Sequence, residues 1–85
     1  MQSITIYSTM NCPYCVAAKN LCINKGLDYK EIDLTNDPDE LARIKEQTGM
    51  LTVPQIFIGE EFIGGYTELR QLNDAGELDK KLLKD

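Results

Sequence analysis

At 85 residues, with 42% hydrophobic and 27% charged side chains, the chain has room for one compact core and is expected to be a single domain over residues 1–85. A net charge of −5 argues against nucleic acid as a partner, because affinity for phosphate backbones comes from clustered Lys and Arg. Histidine is absent, which excludes Cys-His and Ser-His-Asp catalysis and every zinc site that needs an imidazole.

From the start of the chain, Ile4 to Tyr7 is rich in β-branched and aromatic residues and reads as a buried strand. Ser8-Thr9-Met10-Asn11 breaks the pattern and leads into Cys12. From Pro13 to about Lys25 the composition is helical, with Ala17, Ala18, Leu21 and Cys22 on an apolar side; Pro13 suits the first turn and Gly26 the end. Leu27 to Leu34 alternates, with a phase slip, as a second strand. Asp37-Pro38-Asp39-Glu40 then starts a helix that carries Leu41, Ile44 and Thr48 on one side and stops at Gly49.

Val53 to Ile58 is a strand entered through a proline, and Gly59-Glu60 turns it back into Glu61-Phe62-Ile63. Gly64-Gly65 ends that strand, Thr67 is placed to cap a helix through about Asn73, and Glu77 to Lys84 carries Leu78, Leu82 and Leu83 at helical spacing as a final turn. The order β-α-β-α-β-β-α predicts a parallel pair joined by a crossover helix and an antiparallel hairpin. The expected class is α/β, a thioredoxin-like fold with a four-stranded mixed sheet and helices on both faces.

Cys12 and Cys15 stand three apart where the first strand becomes a helix. A thiolate is the reactive form of cysteine, and a helix N-terminus offers it unpaired N–H groups and the positive end of the dipole. Cys12 is therefore expected to ionise more readily than an ordinary thiol. Cys15, one turn inside, is expected to be sheltered and less ionised. That asymmetry makes Cys12 the attacking thiol and Cys15 the thiol that resolves the mixed disulfide. A zinc site would need four ligands, and Cys22, two turns further along the same helix, is out of reach. Cys22 reads as a small apolar residue on the buried side. Three cysteines at uneven spacing also do not suit a secreted disulfide scaffold.

The chain resembles a dithiol glutaredoxin over essentially its whole length. The resemblance is carried by Cys12-Pro13-Tyr14-Cys15, Thr52-Val53-Pro54 and Gly64-Gly65, in that order. It implies a glutathione-dependent thiol–disulfide oxidoreductase, with glutathione as co-substrate, no tightly bound cofactor and no metal. It also implies a cis peptide bond at Pro54, against the cysteine pair. By the same resemblance the Val53 backbone would pair with the cysteinyl unit of glutathione, and Tyr14 would line the groove. The amides of Tyr66 and Thr67 would hold the γ-glutamyl carboxylate, with Gly65 allowing close approach.

Three positions depart from the family pattern. Thr9 and the pair Met50-Leu51 stand where basic residues are common, and Thr67-Glu68, after Tyr66, replaces the acidic pair that usually follows the glycines. Weaker or rearranged glutathione binding follows, with Arg43 and Lys19 as candidate substitute cations. The expected partners are glutathione and disulfide-containing or glutathionylated proteins, with the chain acting as a monomer. Alternative readings are an iron–sulfur cluster carrier and an electron donor served by thioredoxin reductase. No apolar run of about 18 residues exists, and the N-terminus lacks a secretory pattern, so the expected location is cytoplasmic.

Overall fold

The structure is a computed structural model and describes residues 2–84. Its elements in chain order are β1 (Ile4–Ser8), α1 (Pro13–Asn24), β2 (Tyr29–Asp33), α2 (Pro38–Thr48), β3 (Gln55–Ile58), β4 (Glu61–Gly64), α3 (Tyr66–Asp74) and α4 (Glu77–Leu83). The sheet runs β2-β1-β3-β4. β1 and β2 are parallel, joined across α1, whereas β1–β3 and β3–β4 are antiparallel. This is the expected thioredoxin-like arrangement of a mixed sheet flanked by helices.

Strand alternation sorts the side chains. Ile4 and Ile6 of β1 pair with Ile58 and Ile56 of β3, and all four are buried beneath Ala18 and Cys22 of α1, Leu69 of α3, and Leu78 and Leu82 of α4. Cys22 is fully buried in that cluster, as a small apolar residue would be, and burial pushes its thiol pKa up. On the opposite face Tyr7, Phe57 and Phe62 form an aromatic row, and Thr48 of α2 hydrogen-bonds to Gln55.

The helix ends follow local chemistry. The Asp37 carboxylate accepts the Glu40 N–H at 3.2 Å with Pro38 in the first turn, and Gly49 ends α2. After α1 the Leu27 N–H returns to the Cys22 carbonyl at 2.9 Å, across Gly26.

Two expectations are corrected. Thr67 does not cap α3: Gly65 occupies the cap position in an extended conformation, and its carbonyl accepts the Leu69 N–H at 3.1 Å, so Thr67 is already inside the first turn. The final segment is also more than a turn. α4 spans seven residues because Leu78 and Leu82 reach the core, while Leu83 faces outward. Among the described residues no helix is long and apolar enough to cross a membrane.

Candidate active site

Cys12 is the cap residue of α1, its backbone extended at φ −110° and ψ 103°, with Pro13 at the first helical position. Two contacts fix its sulfur. The Cys15 N–H donates to Cys12 Sγ at 3.2 Å, and the Cys12 thiol lies 3.7 Å from the Val53 carbonyl oxygen, which can accept from it. A capping side chain normally satisfies one of the orphan N–H groups at a helix start; here a sulfur does so. Upstream, Asn11 has a positive φ of 60°, and the Met10 N–H is tied to the Thr35 hydroxyl at 2.7 Å, which anchors the loop leading into Cys12.

The two thiols differ in access. Cys12 is partly exposed, whereas Cys15 is 1% exposed. Burial, reinforced by the hydrogen bond with Cys12, pushes the Cys15 thiol up to about 12, so at neutral pH it is almost wholly protonated. The expected contrast between an accessible and a sheltered thiol is therefore present. Among the described residues no group of three or more potential metal ligands comes together.

On one flank of the pair lies a groove of about 400 Å³ lined by Tyr14, Met50, Thr52, Val53, Pro54 and Gly65, and closed by the first residues of α3, from Tyr66 to Glu68. The expected residues Tyr14, Val53, Pro54, Gly65, Tyr66 and Thr67 all meet there. The Val53–Pro54 peptide bond is cis. The Tyr14 and Tyr66 rings stack with centroids 6.2 Å apart and form one wall. The first N–H groups of α3 have no acceptor within the helix, and the residues that carry them line the groove. Gly65 has a different task from its neighbours, since its N–H is already taken by the Glu68 carboxylate at 2.7 Å. Gly64, at φ 122°, makes room for that carboxylate, because a Cβ there would lie 2.7 Å from Glu68 Oε1.

On the other flank, Thr9 to Pro13, Cys15, Val16 and Lys19 face Glu31 and Asp33 across a concavity. Strand register explains its polarity. Residues opposite one another across β1 and β2 run from Ile4 with Tyr29, through Ile6 with Glu31, to Ser8 with Asp33. The face beneath α1 thus changes from apolar to polar where the helix begins. Neither candidate substitute cation reaches the groove. Lys19 is paired with Glu31 at 2.9 Å on the opposite flank, and Arg43 is held on α2 by Glu40 and Gln47.

Comparison with known proteins agrees with this geometry. The glutaredoxin family profile matches residues 4–63. A glutaredoxin of Pseudomonas aeruginosa is 44% identical over 82 residues, spanning 96% of this chain and 98% of that protein. The chain belongs to the glutaredoxin family. Glutaredoxin 3 of Escherichia coli is 37% identical, over 96% of this chain and 99% of its own length. The solution structure of a Brucella melitensis glutaredoxin superposes with a TM-score of 0.86 at 41% identity, covering 100% of this chain and 95% of that one. A buckwheat glutaredoxin–glutathione complex superposes at 0.87 and 31% identity, covering 95% and 76% of the two chains. The protein is thus a thiol–disulfide oxidoreductase built on the Cys12-Pro13-Tyr14-Cys15 dithiol.

One residue that supports the glutaredoxin groove escapes a reading of the sequence. Gln55 is fully buried; its amide nitrogen donates to the carbonyls of Met50 at 2.7 Å and Thr52 at 3.1 Å, and its oxygen accepts the Thr48 hydroxyl at 2.8 Å. It ties the loop that carries Val53 to the start of β3. The available signal was a polar residue inside the apolar run Val53 to Ile58, where a buried amide must find partners.

Proposed function

We propose that this glutaredoxin reduces protein disulfides and glutathione mixed disulfides with glutathione as its co-substrate, through one domain over residues 1–85 in the cytoplasm. Cys12 is the nucleophile. It attacks a disulfide sulfur, the partner thiolate leaves, and a mixed disulfide forms on Cys12. Cys15 then attacks the Cys12 sulfur and releases the second thiol, or free glutathione clears the mixed disulfide directly. The observation that carries this reading is the pair itself: a partly exposed sulfur at a helix cap, hydrogen-bonded by the backbone N–H of its own buried resolving cysteine, beside a groove that ends on a second helix start.

The groove suits glutathione in the manner of a short added strand beside Val53, with the tripeptide's free α-carboxylate at the N-terminus of α3. Tyr14, Pro54, Gly65 and Tyr66 give it shape, and the amides of Tyr66 and Thr67 give it polarity. With no Lys or Arg among the lining residues, binding rests on backbone and aromatic contact and is weaker than a cation-bearing groove would give. A reducing compartment keeps both dithiol and glutathione in their working forms, which supports the cytoplasmic assignment.

An NADPH-coupled assay with glutathione, glutathione reductase and a glutathione-capped small disulfide tests the reading. Cys12→Ser should abolish turnover. Cys15→Ser should retain turnover of the capped substrate and lose reduction of protein disulfides. Equal loss in both variants would contradict the two roles. A Cys15→Ser protein that forms no mixed disulfide with glutathione would contradict the substrate.

A further inference from the structure

Cys15 has a cationic neighbour on its own helix. Lys19 follows it by one turn, so the two share a face of α1, and both line the concavity that faces β2. The lysine is tethered: its Nζ donates to Glu31 Oε2 at 2.9 Å, and the same oxygen accepts the Ser8 hydroxyl at 2.7 Å. Ser8 is 1% exposed and stands on the strand face where Ile4 and Ile6 precede it. A surface ion pair needs no such anchor; here the sheet holds the carboxylate and the carboxylate holds the ammonium.

We infer that Lys19, held by Glu31 and Ser8, is a positioning residue for the resolving step, its ammonium stabilising the Cys15 thiolate as that thiolate forms. The inference deepens the proposed role of Cys15 and rests on it. In the step, the Cys15 thiol gives its proton to water and its sulfur attacks Cys12 in the mixed disulfide Cys12–S–S–R. A Cys12–Cys15 bond forms, the S–R bond to Cys12 breaks, and R–S⁻ leaves with the electron pair and takes a proton from water. The two cysteines end oxidised and R ends reduced, and Lys19 keeps its proton throughout.

The charges around Cys15 support this division of labour. Cys12 faces it from the helix cap, Lys19 from the next turn of α1, and Glu31, Asp33 and Tyr29 surround Lys19 from β2. In the free dithiol, Cys12 opposes ionisation of Cys15 both through their hydrogen bond and through its charge, whereas Lys19 favours it. Once Cys12 is capped in a mixed disulfide its charge is gone, and the favourable influence of Lys19 remains. The hydrogen bond to Glu31 holds the Lys19 pKa above its ordinary value, so the cation persists through neutral and alkaline pH.

Rapid mixing of the reduced protein with oxidised glutathione resolves two releases of glutathione, the first from attack by Cys12 and the second from attack by Cys15. Lys19→Gln should slow the second release about three- to tenfold at pH 7, the effect of one partly screened opposite charge. Its rate–pH profile should move to higher pH, the first release should keep its rate, and Lys19→Arg should restore the second. An unchanged second release, a slowing without displacement of the pH profile, or an equal slowing of both releases would overturn the inference. Cys15→Ser separates the two layers: a second release that persists there removes Cys15 from the resolving role, whatever Lys19 does.

Discussion

On one flank of the cysteine pair the walls are two stacked tyrosine rings, a cis-proline and the first turn of α3 with Glu68; on the other they are an ammonium, two carboxylates and the thiol of Cys15. The two flanks therefore respond to different perturbations. The one carboxylate among the groove residues, Glu68, is tied to the Gly65 N–H, and substitution cannot remove a backbone amide, so the groove answers mainly to changes of shape. The Lys19–Glu31–Ser8 side holds by charge and answers to pH, salt and single-charge substitutions. Under the proposed roles, recognition of the thiol substrate and ionisation of the resolving thiol belong to separate, adjacent surfaces.

The sharpest way to break that comparison is at Gln55. Gln55→Ala should leave the Met50 and Thr52 carbonyls without the amide that bonds them, while the Thr48 hydroxyl keeps the Ile44 carbonyl, at a cost of about 1–3 kcal/mol in denaturant unfolding. Its functional effect should fall on the groove flank: a raised KM for glutathione-capped substrate, with the second glutathione release unchanged in the protein that remains folded. A loss confined to stability, with KM unaltered, would show that the loop holds its shape without the amide.

Gly65→Ala comes next. The residue sits at φ −97°, which any amino acid adopts, so only space matters. A Cβ there would meet the Met50 methyl at 3.0 Å and the Pro54 carbonyl oxygen at 3.4 Å. Met50 can swing aside but then intrudes on the groove, so KM for the capped substrate should rise about three- to fivefold with a stability change of about 1 kcal/mol or less. An unchanged KM would mean that Met50 moves outward instead.

The smallest effect belongs to acid. Glu31 is held below the ordinary carboxylate value, first by Lys19 and then by Ser8. A depressed carboxylate stabilises the fold above its unfolded pKa, near 4.5, and loses that contribution as pH falls through its folded value. Because the pair is partly exposed, the contribution is a fraction of a kcal/mol after solvent screening. Glu31→Gln should flatten that part of the stability–pH curve below about pH 5, and glutathione turnover through the groove should keep the same pH dependence as in the parent.

Much of this was legible before any coordinates. Asp37-Pro38 and Gly49 bracket α2 because capping is a matter of a few adjacent residues. Cys22 was readable as core because it falls on the helix stripe that also carries Ala18. The misplaced cap of α3 has a local cause of a different kind. Thr67 is a good capping residue, but Glu68 reaches back to the Gly65 N–H and Gly64 leaves space for it, which fixes the helix start two residues earlier. The candidate cations failed for a reason outside local sequence: each has a carboxylate partner that draws it away from the groove.

The sequence by itself determined the order of elements and the cysteine pair at a strand-to-helix junction, because periodicity, capping and motif spacing act over a few residues. Only the tertiary structure decided which side chains meet around that pair. Ser8 reaches Glu31, 23 residues away, and Lys19 reaches it across 12, through the parallel register of β1 with β2 and the packing of α1 above them. Gln55 was a polar letter in an apolar run until the turn after α2 brought two carbonyls and a hydroxyl to its amide. Such contacts depend on how strands align and helices stack, and no short window of residues contains that information.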